Sequence, residues 1–222
     1  MTTLSKTQAS SRTINFSKFM FPIMHGLIVL PLVLFSGLTL AYLLQINPEM
    51  SLQGLLGITG SGAMLTFGAM LACTPISIIT GWQRPRRLRK PFGLYAFIFA
   101  AIHFVAYVDQ EGTLSKAIAE IISDGLVLFG FLGLAIMAPL AATSTRWAIR
   151  KMRKNWKRLH QATYAATVFI ALHLLLVGEG IGAIYLLLLI IRVPIMKNAI
   201  IKVRKKYQAD RRARTKAAST AH

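Results

Sequence analysis

Long stretches without any charged residue constrain this chain more than any other feature of its sequence. Residues 19–46 and 52–82 contain no Lys, Arg, Asp or Glu. Each stretch exceeds the roughly 20 apolar residues that a membrane-spanning helix requires. Shorter apolar runs follow at residues 92–108, 117–143, 159–177 and 181–195. The pattern predicts an all-α integral membrane protein built as a bundle of six transmembrane helices.

The distribution of charge tests this number of spans independently. With six alternating spans, 25 of the 26 Lys and Arg residues lie on one side and six of the seven Asp and Glu residues on the other. Because cytoplasmic loops carry the excess of Lys and Arg, both termini are predicted to be cytoplasmic. The predicted organisation is a cytoplasmic segment at 1–18, a transmembrane domain at 19–197 and a basic cytoplasmic tail at 198–222.

The composition excludes several other classes of protein. Charged residues make up 15% of the chain, whereas about 25% is usual in soluble domains. A single cysteine, Cys73, excludes a disulfide scaffold. The net charge of +19 lies in loops and terminal segments beside the apolar runs, without a recognition module for nucleic acid. We therefore interpret it as a determinant of topology that also attracts anionic lipids, and we predict no nucleic-acid partner.

Four of the five histidines, His25, His103, His160 and His173, lie within or beside the apolar runs. Ionisable groups at membrane depth are costly and usually face the interior of the bundle. Each histidine taken alone is compatible with a hydrogen-bonded interior residue. Neutral imidazole is also a ligand of metals and heme, and helical bundles form cofactor sites from facing side chains. A heme-free transporter or proton-relay protein using the same histidines is the alternative from a different class.

The depth of each histidine along its helix sorts the four into two pairs. His103 and His173 lie ~19 and ~22 Å beyond the preceding basic clusters, at about 1.5 Å per residue. His25 and His160 lie only ~10 and ~3 Å beyond theirs. Two bis-histidine sites at different depths are typical of a transmembrane b-type cytochrome, because an iron without an open position favours electron transfer. Zinc fits less well, since no acidic residue lies at that depth to complete its coordination.

Two segments carry a resemblance to a known family. The sequence GLYAFIFAAIHF at 93–104 resembles the third helix of ferric-reductase-like transmembrane domains. The sequence WKRLH at 156–160, followed thirteen residues later by His173, resembles their W-x-x-L-H…H helix. The chain is most similar to the heme-binding membrane subunits of periplasmic methionine-sulfoxide reductase systems, through MHG at 24–26, ITG at 58–60, TP at 74–75 and TST at 143–145.

The resemblance implies a six-helix cytochrome of the bacterial inner membrane that passes electrons to a periplasmic molybdenum-dependent reductase of methionine sulfoxide. It implies an electron-transfer subunit rather than a complete enzyme, with one or two hemes b and with FMN as a further cofactor. The implied electron donor is quinol or a flavin reductase. Three histidines match family heme ligands: His103, His160 and His173. A quinol-linked cytochrome b subunit of another membrane redox complex is the alternative within redox proteins.

Two further residues bear on cofactor binding. Arg192 lies near the cytoplasmic end of the sixth run and is a candidate to neutralise a heme propionate, with snorkelling to the interface as the alternative. The second helix of the family commonly opens with H-x-T-G, and Gly57 stands here in place of that histidine. Any contribution of that histidine to heme or partner binding is therefore lost or compensated in this protein.

Overall fold

The computed structural model describes residues 51–192 and 194–220, together with residues 33, 34, 36, 37, 40 and 41. All regular structure within these residues is helical, which confirms the all-α prediction for this part of the chain. The predicted span at 19–46 lies outside the described residues, apart from the six single positions, which are helical.

Nine helices follow one another within residues 51–192 and 194–220. They are α1 Leu52–Thr80, α2 Pro85–Gln110, α3 Leu114–Ser123, α4 Gly125–Ala142, α5 Arg146–Met152, α6 Lys154–Gln161, α7 Thr163–Leu176, α8 Ile181–Arg192 and α9 Pro194–Thr220. Four segments are long and apolar enough to cross a membrane, namely α1, α2, α4 and Lys154–Leu176, whereas α8 is apolar but shorter. These are the helices of a multi-pass membrane protein. The number of six spans and the side of the termini stay predictions.

The predicted third and fourth spans differ from the helices in the structure. Helix α2 begins at Pro85, ahead of the predicted start at 92, because proline lacks an N–H and is well tolerated in the first turn. The predicted span at 117–143 is two helices, broken at Asp124. This residue is extended (φ −108°, ψ 116°), and its carboxylate accepts a hydrogen bond of 2.8 Å from the Leu126 amide. Asp124 is thus the N-cap of α4.

The short turn between the last two apolar runs, 159–177 and 181–195, has a defined hydrogen-bond pattern. The Gly178 amide donates to the Leu175 carbonyl (3.1 Å), and the Glu179 amide donates to the Leu174 carbonyl (2.8 Å). Gly178 has φ +93°, which a glycine adopts without strain. This is a Schellman motif, and it reverses the chain so that α8 packs back against α7.

Five helices form a closed ring. Helix α1 packs against α2, α2 against α4, α4 against α7, α7 against α8, and α8 against α1. Buried Phe67 and Leu71 of α1 and Tyr185 of α8 belong to the core, and the Tyr185 hydroxyl donates to the Met64 carbonyl. Large apolar side chains such as Val105 on α2 are exposed outside the ring, as expected for a surface that faces lipid.

The two ends of this ring are named by the residues that form them. The outer end contains the start of α1, the end of α2, the start of α4 and the α7–α8 turn. The inner end contains the end of α1, the start of α2, α6 and the end of α8. Helix α9 packs against the inner end, where Arg204 Nη1 donates to the Ile78 carbonyl (2.8 Å). This bond satisfies a carbonyl that the last turn of α1 leaves without a helical partner.

Candidate cofactor site

A cavity of about 460 Å³ lies between α1, α2, α4 and α7 in the outer half of the ring. This volume is within the range of about 300–1,000 Å³ that is usual for cofactor and ligand sites. Its lining is mostly apolar and includes Phe67, Phe104, Phe131, Leu134 and Met137. Four titratable residues also line it: His103, Tyr107, His173 and Glu179.

His103 and His173 both line the cavity, and each is held by an equivalent hydrogen bond to a backbone carbonyl of another helix. Nδ1 of His103, on α2, lies 3.0 Å from the Leu56 carbonyl of α1. Nδ1 of His173, on α7, lies 2.8 Å from the Leu126 carbonyl of α4. A carbonyl oxygen only accepts hydrogen bonds, so Nδ1 is the donor in both rings. The structure therefore brings together the two histidines that the depth argument pairs.

This hydrogen bonding leaves the second ring nitrogen of each histidine available. In a neutral imidazole whose Nδ1 carries the proton, Nε2 holds a lone pair and can ligate a metal. Metal-ligating histidines usually donate their other N–H to a backbone carbonyl or a carboxylate, which fixes the ring and increases its basicity. Two such rings on one apolar cavity would hold a heme through Nε2 and would supply its iron with nitrogen ligands.

Tyr107 and Gly57 also line this cavity. The Tyr107 hydroxyl is buried and has no hydrogen-bond partner among the described residues. It is a polar group at the cavity that the sequence did not single out. A Cβ atom at Gly57 would meet nothing within 4 Å. The position where the family commonly has histidine is therefore not filled by any described residue.

His160 lies at the inner end, apart from this cavity. Its ring stacks on Trp156 with 3.9 Å between centroids, and its Nδ1 lies 3.1 Å from the Trp156 carbonyl one turn earlier. Trp156 is itself fixed, because its Nε1 donates to the Thr143 carbonyl (3.0 Å). Nε2 of His160 is buried and has no hydrogen-bond partner within the part of the chain that the structure describes, and the Leu140 carbonyl lies near the ring. His25, the predicted partner of His160, lies outside the described residues.

Arg192 is buried at the inner end, with 7% of its surface exposed. Its Nη2 donates to Thr74 Oγ1 (3.2 Å), and its guanidinium lies 5.9 Å from the centre of the Tyr164 ring. Arg89 is close enough for the two positive charges to repel each other, and Arg89 Nε is buried with no hydrogen-bond partner in the described ranges 51–192 and 194–220. This cationic pair makes the inner end suited to an anionic group.

Within residues 51–192 and 194–220, no three His, Cys, Asp or Glu side chains are grouped closely enough to hold a metal ion. The arrangement at the outer cavity is instead a pair of histidines. The sequence predicts that pair of histidines but not the carbonyl groups that orient the imidazole rings. Leu56 and Leu126 each precede their histidine by 47 residues, so the two pairs of carbonyl and histidine are related by the same offset along the chain.

Comparison with known proteins places these features in a family. A model of the ferric reductase like transmembrane component matches residues 24–171, a segment that includes His25, His103 and His160 and ends two residues before His173. Proteins named protein-methionine-sulfoxide reductase heme-binding subunit MsrQ match in Bordetella pertussis (36% identity over 117 residues), Xanthomonas campestris pv. campestris (35% over 117) and Brucella ovis (35% over 132).

The aligned segments cover 52%, 52% and 59% of this chain and 57%, 54% and 58% of the respective relatives. The chain thus spans slightly more than half the length of these curated relatives. No solved structure matches it.

Proposed function

Because the chain belongs to the ferric reductase like transmembrane component family, we propose that it is a b-type cytochrome of the bacterial inner membrane. In this proposal it carries electrons across the membrane to a periplasmic molybdenum-dependent methionine-sulfoxide reductase. The chain is then an electron-transfer subunit, and the chemistry on the substrate takes place in its partner. The name of the MsrQ relatives supports both the heme and the reductase system.

The observation that carries the proposal is the pair His103 and His173. Both rings line one apolar cavity, both donate Nδ1–H to a carbonyl of the facing helix, and both keep Nε2 available. A heme held there supplies one-electron chemistry between ferric and ferrous iron. Two histidine ligands leave no position for oxygen or substrate, so such a site transfers electrons.

A second heme is proposed at the inner end, with His160 and His25 as ligands and Arg192 facing a propionate. His160 supports this with a buried Nε2 that has no hydrogen-bond partner among the described residues, and Arg192 supports it with a buried positive charge. FMN is a further proposed cofactor, and the proposed electron donor is quinol or a flavin reductase.

The proposed topology places the histidine cavity on the periplasmic side. It has six spans within residues 19–197 and both termini in the cytoplasm, with a basic tail at 198–222 that also attracts anionic lipids. The four long apolar helices and the shorter α8 support five of these spans. The outer cavity then lies near the proposed acceptor, and the inner end lies near a cytoplasmic or quinol donor.

The decisive experiment is a heme count on the purified full chain. The protein is expressed with an ample heme supply and purified in mild detergent. A dithionite-reduced minus oxidised spectrum and a pyridine hemochrome assay are then recorded. Two hemes b per chain support both histidine pairs, whereas one supports the outer site and contradicts the inner one. A protein without heme would contradict the cytochrome and favour the heme-free transporter or proton relay.

The proposed acceptor needs its own test. Protein reduced by a quinol analogue is mixed with a purified periplasmic methionine-sulfoxide reductase, and the heme absorbance is followed. We expect rapid reoxidation with methionine sulfoxide present and none with methionine as the matched control. Heme that stays reduced in both mixtures would contradict this acceptor and favour a quinol-linked cytochrome subunit of another redox complex.

A further inference from the structure

The two histidines of the outer cavity are held by a repeated local unit. In each unit, a leucine carbonyl accepts from Nδ1 of a histidine 47 residues later. A glycine stands four residues after each leucine: Gly60 after Leu56, and Gly130 after Leu126. The segments that end at the histidines are also related, AFIFAAIH at 96–103 and ATVFIALH at 166–173.

Both glycines touch the imidazole of their own unit. A Cβ atom at Gly60 would lie 3.1 Å from Cε1 and 3.2 Å from Nδ1 of His103. A Cβ atom at Gly130 would lie 2.9 Å from Nδ1 and 3.0 Å from Cε1 of His173. Each ring therefore rests directly on the backbone of the facing helix, in space that any other residue would occupy.

Helix geometry explains why a glycine is needed four residues after the leucine. The carbonyl of residue i already accepts the amide of residue i+4, so a ring nitrogen must approach its remaining lone pair from the side. The Cα–Cβ bond in a helix tilts toward the N-terminus, so the side chain of residue i+4 covers the preceding turn. Without a Cβ at Gly60 and Gly130, the carbonyls of Leu56 and Leu126 stay accessible to the rings.

We infer that Gly60 and Gly130 are positioning residues that set the orientation and protonated nitrogen of the two heme ligands. The inference rests on the proposed function, because it concerns histidines that hold heme. The hydrogen bond to the carbonyl increases electron donation by each imidazole and thereby stabilises ferric iron. A methyl group at either glycine weakens this bond and turns the ring, which raises the midpoint potential of the outer heme.

The test compares Gly60→Ala and Gly130→Ala with two glycines away from the histidines. Gly93 is a control about as tight as Gly60, because its Cβ would lie 3.2 Å from Sδ of Met70, a flexible side chain. Gly125 is an open control on α4, with its nearest neighbour at 4.0 Å. The readouts are the electron paramagnetic resonance g-values of the oxidised protein, the midpoint potential and the heme affinity.

We expect both site variants to change the g-values of one heme and raise its potential, with heme affinity reduced by about 10- to 100-fold. Gly130→Ala should have the larger effect, since its contact with the ring is closer. Both control variants should match the wild type. Unchanged g-values and potentials in both site variants, or equal changes in Gly93→Ala, would overturn the inference while leaving the heme count of the proposed function intact.

A second measurement covers variants that fold poorly, and it does not require heme. Gly60→Ala is combined with His103→Ala, and Gly130→Ala with His173→Ala, and the melting temperature is measured in detergent. We expect each alanine to lower the melting temperature only while the imidazole is present, because the clash is with the ring. An equal decrease with and without the ring would show a general packing role and would overturn the inference.

Discussion

The outer and inner ends of the bundle hold histidines in different ways. At the outer end, His103 and His173 each donate to a carbonyl of another helix, so that the pairing of helices fixes both rings. At the inner end, His160 lies beside a carbonyl of its own helix and stacks on Trp156. The imidazoles of His103 and His173 are therefore positioned by tertiary packing, whereas the imidazole of His160 is positioned by local structure.

The two ends also differ in charge. Five of the six acidic residues that the structure describes lie at the outer end, and the sixth, Asp210, is exposed on α9. The buried Arg192 and its neighbour Arg89 therefore have no carboxylate among the described residues that is placed to neutralise them. Buried charge without a partner is unfavourable. The outer end offers two ligands from described helices, whereas the inner end offers one ligand and an unbalanced positive charge.

The largest effect is expected from removing the outer ligands. His103→Ala and His173→Ala should each eliminate the same heme, since both rings line one cavity, and leave any inner heme in place. The pyridine hemochrome count and the resonance spectrum of the remaining heme measure this outcome. His222→Ala, which keeps the four histidines of the apolar runs, is the matched control. Loss of different hemes from the two variants would show that His103 and His173 do not share a site.

A smaller effect, a change in potential without loss of heme, is expected at the inner end. Arg192→Gln removes a buried positive charge. Loss of this charge favours the ferric state and should therefore lower the midpoint potential of the inner heme. Arg192→Lys keeps the charge and should stay closer to the wild type. Arg150→Gln, at an exposed position, is the control. A redox titration in which Arg192→Gln and Arg150→Gln behave alike would contradict a role for Arg192 beside a propionate.

The sequence predicted the long apolar helices of the described residues, except for the break at Asp124, and it paired His103 with His173. Charge-free runs report burial in lipid directly, and a constant rise per residue converts position into depth. The orientation of His103 toward Leu56 could not be predicted, because it depends on how α1 packs against α2. The burial of Arg192 had no local signal either, since an arginine after an apolar run usually reaches the interface. The helix break at Asp124 did have a local signal, because an aspartate precedes a glycine there. The apolar residues on both sides obscured this signal.

The smallest effect is expected from removing Asp124, the N-cap of α4, which is the helix that carries the Leu126 carbonyl. The Asp124 carboxylate accepts from the Leu126 amide (2.8 Å), and the carbonyl of the same Leu126 accepts from His173. Asp124→Ala should lower the free energy of unfolding by about 1 kcal/mol, the usual effect of losing an N-cap. Fraying of this turn should also shift the spectrum of the outer heme slightly.

Glu120→Ala removes an exposed carboxylate from the neighbouring α3 and controls for the change in charge. Denaturant titration and the resonance spectrum of both variants distinguish the two contributions of Asp124. A stability loss without a spectral change would separate the cap from the ligand and place the positioning of His173 in the packing of α4 on α7. A spectral change as large as that of Gly130→Ala would show instead that the first turn of α4 controls the ring as strongly as the glycine does.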